Sequence, residues 1–266
     1  VYETAAIRYF ENSLKIARAE NSTQGEVSAL LNLILPYYRS KNQLAFKQNK
    51  NFNSEMNPEI FEQIETNIEN LPPSRKKAFA LIKLARLMQK LNSSDSVIVA
   101  SGYECFQSEF SPKVVNLFER GLRVAENIGD KQTQSFALGW FGHVFECSGN
   151  YQQALNFTNQ AQIAAQTKES RYLWEWQAGR IYKATNRESL AIEAYESSAN
   201  TLEDIEKDIA IANRDVRLDF QDSVEKIYRN LAELRIRNAL KASNTKTVKL
   251  QQNLNSALNT LDKLRL

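Results

Sequence analysis

The residues best suited to chemistry lie within one helical turn. His143 is the only histidine in the 266-residue chain, and Cys147 follows it by four positions. Residues four apart on a helix share a face, so an imidazole and a thiol can meet there, and such a pair can generate a nucleophilic thiolate. Glu146 adds a carboxylate to the same turn, making three metal-ligating groups on paper. Both uses lack parts. A cysteine nucleophile needs a base oriented by a third group, and donors for the developing oxyanion. Zinc needs three or four converging ligands, and a glutamate on an exposed helix is ordinarily solvated. No phosphate-cradling loop, dinucleotide-binding glycine pattern or nucleophile elbow occurs. The sequence therefore assigns no catalytic residue, no metal and no cofactor. An enzyme working through Cys147 and His143 ranks behind two other readings, an interaction scaffold and a structural spacer or oligomerisation arm. Cys105 and Cys147 lie far apart, make no disulfide framework, and are expected to be ordinary, partly buried thiols.

A second group of residues suits binding. Arg39, Arg86, Lys90, Arg180 and Lys183 fall at corresponding places on successive predicted helices, together with His143, Glu146 and Trp176. A concave basic strip concentrates anions and steers acidic partners. These eight residues are the candidate groove for a protein or peptide ligand of acidic character. Trp140 and Trp174 read as packing between helices, whereas Trp176 is held as a contact residue. The 34 basic and 31 acidic side chains leave a net charge of only +3, too balanced to indicate nucleic acid.

The elements that must carry these residues are repeated helix pairs. Phe136-Ala137-Leu138 aligns with Phe79-Ala80-Leu81, which places Phe141 against Leu84, Gly142 against Ala85 and Phe145 against Met88. A third copy starts at Leu173, with Ala178, Gly179 and Tyr182 at those places, and a weaker one spans Ala29 to Asn42. Gly142 and Gly179 are 37 residues apart. Each copy is followed by a helix with a one-sided apolar stripe: Ala154, Leu155, Thr158 and Ala161, then Ala191, Ile192, Tyr195 and Ala199. Gly142 and Gly179 let the second helix approach the first, Phe145 and Tyr182 fill the space between, and Ala154 and Ala191 keep the next contact close. Gly149 and Asn186 suit the left-handed residue that ends a helix.

Composition agrees. Eight glycines and five prolines are too few for an all-β domain with a tight turn every 8–12 residues or so. The most apolar stretch, Ala29 to Leu35, is far short of the ~20 residues a membrane span needs. The chain starts at Val1 without an initiator methionine, so it is expected to be a processed or cut product whose localisation is unreadable. Helices are expected over Tyr2–Ala19 (an orphan second helix), Gln24–Ser40 with Pro58–Asn70, Pro73–Leu91 with Pro112–Ile128, Lys131–Ser148 with Tyr151–Thr167, Arg171–Thr185 with Arg187–Lys207, then Asp215–Ala242 and Thr247–Leu266. Pro36 should kink or break its helix. Residues 1–206 form the repeats, with insertions at 41–55 (a mobile loop) and 92–111 (with the apolar run Val97–Ala100). Residues 207–266 form a helical extension.

A small-x-x-aromatic step, a turn, and then Ala-x-x-x-aromatic resembles the tetratricopeptide repeat, which implies an all-α, right-handed superhelical solenoid. The C-terminal third narrows the likeness. Asn213-Arg214-Asp215-Val216, Phe220, Ser223-Val224-Glu225, Tyr228-Arg229, Leu231, Leu234 and the run Leu254–Leu266 resemble the stretch that joins such repeats to a CHAT domain in large bacterial, especially cyanobacterial, proteins. Tyr151-Gln152-Gln153-Ala154-Leu155 and Trp174-Glu175-Trp176-Gln177-Ala178-Gly179-Arg180 are similar to the same family. The resemblance covers most of the chain and is strongest from Lys131 onward. It implies a protein-interaction arm adjoining a caspase-like peptidase domain that would begin after Leu266. The His/Cys dyad of that domain maps onto no residue here.

Overall fold

The computed structural model describes residues 2–47, 59–91, 111–209, 217–242 and 247–262. Among the described residues every regular element is an α-helix. In chain order these are α1 (Tyr2–Ala19), α2 (Thr23–Lys47), α3 (Glu59–Glu69), α4 (Arg75–Leu91), α5 (Pro112–Asn127), α6 (Lys131–Cys147), α7 (Tyr151–Ala164), α8 (Lys168–Ala184), α9 (Glu188–Ile209), α10 (Arg217–Ala242) and α11 (Thr247–Asp262).

Short turns of one kind fold the helices back on each other. Asn21, Gly129, Gly149 and Asn186 each take a positive φ, between 51° and 78°. At each, the amide one residue beyond closes on a carbonyl five residues back. Asn150 N–H reaches Phe145 O at 3.0 Å, Arg187 N–H reaches Tyr182 O at 2.9 Å, and Ser22 and Asp130 repeat the pattern. This closure satisfies the carbonyls left open at a helix end, and asparagine and glycine tolerate the left-handed backbone it needs. The expectation at Gly149 and Asn186 is thereby met. The next helix then starts on a capping side chain: Asp130 accepts from Thr133 N–H at 3.1 Å and Asn150 from Gln153 N–H at 3.3 Å. Such caps contribute about 1 kcal/mol each.

Helices α4/α5, α6/α7, α8/α9 and α10/α11 pack as hairpins. Each hairpin stacks on the next through α5 on α6, α7 on α8 and α9 on α10. The leading helices also touch in sequence, α2 on α4, α4 on α6 and α6 on α8. Aromatic residues fill the seams. Phe141 lies 4.5 Å from Phe157 and 6.1 Å from Phe118, and Trp174 stands edge-on to Phe136 and Trp140. Phe118 and Trp174 are fully buried; burying a phenylalanine side chain is worth roughly 1.5–3 kcal/mol. Polar staples cross the same seams. Trp174 Nε1 donates to Ser135 Oγ, which in turn donates to Ala161 O at 2.7 Å. The Gln177 amide donates to Gly139 O at 3.0 Å and Thr158 Oγ1 at 2.7 Å.

The structure departs from the sequence reading in places. Helix α1 is no orphan: it folds back on α2 across the Asn21 turn, while α3 contacts both α2 and α4. Of the kink or break expected at Pro36, the break does not occur, since α2 runs on through it to Lys47. The expected mobile loop from Lys41 is therefore helical as far as Lys47, and residues 48–55 lie outside the described residues. So do residues 92–110, with the Val97–Ala100 run. The boundary near residue 206 falls within α9, which continues to Ile209 and receives α10 on its side.

Candidate functional site

The candidate groove residues sit on the leading helices α2, α4, α6 and α8. The packing positions lie at the contacts between helices. Ala154 and Ala191 are fully buried. A Cβ on Gly142 would stand 2.8 Å from Gln177 Nε2, 3.0 Å from Thr158 Oγ1 and 3.1 Å from Ala154 O. One on Gly179 would press on the Tyr195 ring at 3.1 Å. Phe145 and Tyr182 are half-buried against the core.

The charged residues form a ladder between neighbouring helices. Arg180 on α8 grips Glu146 on α6 with two parallel bonds, Nε to Oε1 at 2.7 Å and Nη2 to Oε2 at 2.8 Å. His143 Nδ1 approaches the same Oε2 at 3.0 Å. With the carboxylate as acceptor, Nδ1 carries the proton. The side chains of His143 and Glu146 are only 5% and 8% exposed. Burial by itself would raise the Glu146 carboxyl, but the Arg180 charge and the hydrogen bonds from His143 and Arg180 outweigh it and hold the group at about 2. The Arg180 guanidinium also lies 4.5 Å from the centroid of the Trp176 ring, and Trp176 is 2% exposed. One rung further, Lys183 Nζ donates to Glu233 Oε2 on α10 at 2.7 Å. Lys183 is the main reason the Glu233 carboxyl sits below its ordinary value. At the other end, the Arg86 guanidinium on α4 stacks 3.4 Å above the Trp140 ring of α6.

This changes the picture of a solvated basic strip. His143, Glu146 and Trp176 are closed off from water, and Arg180 and Lys183 are each matched by a carboxylate of the adjacent hairpin. The side chains of Arg39 and Lys90 lie outside the described residues. The charge ladder left one trace in the sequence: Glu146 and Arg180 have opposite charge and are 34 residues apart, close to the 37-residue period. Gln177, and Gly139 against the Trp174 ring, gave no such trace, because both matter only once three helices meet.

The His143–Cys147 pair is close, with Cys147 Sγ 3.6 Å from Nε2 and 3.7 Å from Nδ1. Cys147 is disulfide-bonded, which corrects the expectation of an ordinary thiol. A disulfide sulfur has no proton to give the imidazole, so the pair so arranged holds no thiolate. Cys105 lies outside the described residues. Among the described residues no group of three His, Cys, Asp or Glu side chains is placed to hold a metal ion, and no helix is long and apolar enough to cross a membrane.

No family model matches this chain, and no curated protein matches it significantly. Among solved structures it is similar to BtubC (BKLC) from P. vanneervenii, with a TM-score of 0.63 over 100% of this chain and 93% of that one. The sequences are 11% identical, so the likeness is one of fold: an all-helical, repeat-like architecture.

Proposed function

We propose that this chain is a protein-interaction scaffold built of tetratricopeptide-like hairpins wound into a right-handed solenoid. Within that reading it is the binding or regulatory arm of a larger CHAT protein. One observation carries the proposal: α2, α4, α6 and α8 pack in unbroken succession, so residues from separate repeats line one continuous face. Stacked helix pairs have no deep cavity of their own, and they bind through the extended surface that the stacking creates. The partner is a protein or peptide with acidic segments, recognised by the cations that line the leading helices.

The test is capture of a partner by the immobilised chain, compared with an Arg86→Glu, Lys183→Glu double variant and with a control of equal charge change, Lys47→Glu with Lys50→Glu, at and beyond the last residue of α2. Loss of the partner with the first variant alone supports the reading. Equal loss with both means that binding follows net charge, and the assignment of the face is wrong. A chain that captures nothing, while its hairpins self-associate, is instead a spacer or oligomerisation arm. The intact mass of the native gene product tests the CHAT attachment.

A further inference from the structure

The ladder is not uniform along its length. Arg180 and Lys183 each face a carboxylate from the next hairpin. Among the described residues Lys83, on α4, does not: its ammonium donates to the side-chain oxygen of Asn32 on α2, a neutral amide. An ammonium has three N–H donors, and one amide acceptor engages one of them. Lys83 is also half-buried. Burial pushes its ammonium below the ordinary lysine value, and the charge of Arg86, three residues on, pushes the same way. Arg86 is fixed by its stacking on Trp140, so the two positive charges are held near each other by the fold. A partly desolvated cation with a neutral acceptor and a like-charged neighbour is stabilised most by one thing, an added anion.

We infer that Lys83, with Asn32 and Arg86, forms a subsite between α2 and α4 that takes an aspartate or glutamate side chain from an acidic partner segment. This rests on the scaffold reading and relocates its strongest contact. Arg180 and Lys183 hold the hairpins together, whereas the α2–α4 end recognises the ligand. Asn32 orients the ammonium, Lys83 supplies a short-range charged donor, and Arg86 adds long-range attraction on a rigid aromatic base. Carboxylate is the fitting class because Lys83 brings a single ammonium, oriented by Asn32, whose remaining N–H donors suit one charged oxygen acceptor.

The probe is a fluorescein-labelled octaglutamate peptide, titrated by anisotropy into the full chain at low salt. Lys83→Gln keeps the packing and the contact with Asn32 but removes the charge, and should weaken binding roughly tenfold. Lys83→Arg should restore most of it, and Lys183→Gln should change it less than about twofold. A second readout guards against misfolded variants. In the wild-type chain the Lys83 side-chain NMR signal, followed against pH, should titrate at higher pH once octaglutamate is present. Binding unchanged in Lys83→Gln, a Lys83 titration indifferent to the peptide, or no octaglutamate binding to the wild type would each overturn the subsite. A natural partner that binds Lys83→Gln as tightly as wild type would overturn the subsite and leave the scaffold reading standing.

Discussion

Substituting Gly142 by alanine tests the hairpin packing with the smallest possible probe. The new methyl carbon would stand 2.8 Å from Gln177 Nε2, 3.0 Å from Thr158 Oγ1 and 3.1 Å from Ala154 O. Gln177 and Thr158 are fully buried, so neither can swing into water. Their shared 2.7 Å hydrogen bond must lengthen or break, and α7 must move off α6. Overpacking of this kind costs about 1–3 kcal/mol, and a buried amide left without its partner a further ~1–3 kcal/mol. Against this stands the gain of alanine over glycine inside a helix, about 1 kcal/mol. The net expectation is destabilisation by about 2 kcal/mol, and by more for Gly142→Leu. For a chain of this size that lowers Tm by about 4–8 °C. Urea unfolding followed by circular dichroism reads the shift, with Gln152→Ala on the exposed face of α7 as a control that should stay within ~0.5 kcal/mol. A Gly142→Ala chain as stable as wild type would refute the close approach of α6 and α7, and with it the repeat register.

Two further predictions concern the buried ladder. The Glu146 carboxyl is held at about 2 against an ordinary value of 4.5. Its folded pKa is depressed, so its contribution to stability is complete above pH ~4.5 and is lost as pH falls towards 2. The difference is worth about 3 kcal/mol. A Glu146→Gln chain should show a correspondingly flatter fall in urea midpoint over that window, measured against wild type so that other carboxylates cancel; parallel curves would contradict it. Arg180→Met leaves Glu146 buried with a broken pair and should cost about 3–5 kcal/mol, whereas Glu146→Leu with Arg180→Met should recover most of that loss. Additive losses in a double-mutant cycle would mean the two side chains do not act as a pair.

The packing scheme was readable from sequence because it repeats. Gly142, Ala154, Gly179 and Ala191 mark the close approaches at equal spacing, and Gly149 and Asn186 mark the turns with residues that accept a left-handed backbone. The site was less readable because its contacts cross between repeats. Arg180 is a plausible solvent-facing cation until α6 supplies Glu146. Trp176 is a plausible ligand platform until that arginine closes over it. Lys83 is unremarkable in the sequence because its environment depends on an asparagine 51 residues away. Local rules also failed at Pro36: packing of α1 and α4 against α2 holds the helix through a residue that, taken alone, signals a break.

The most direct test of the account is site-specific photo-cross-linking in the native host. A photoreactive residue is placed at Lys83 or Lys183 on the leading helices, and at Gln160 on the exposed side of α7. The account predicts that the first two positions capture the same partner, that a peptide map places the cross-links in an acidic segment of it, and that Gln160 captures none. Capture at Gln160 alone, or of different proteins at Lys83 and Lys183, would contradict a single continuous binding face.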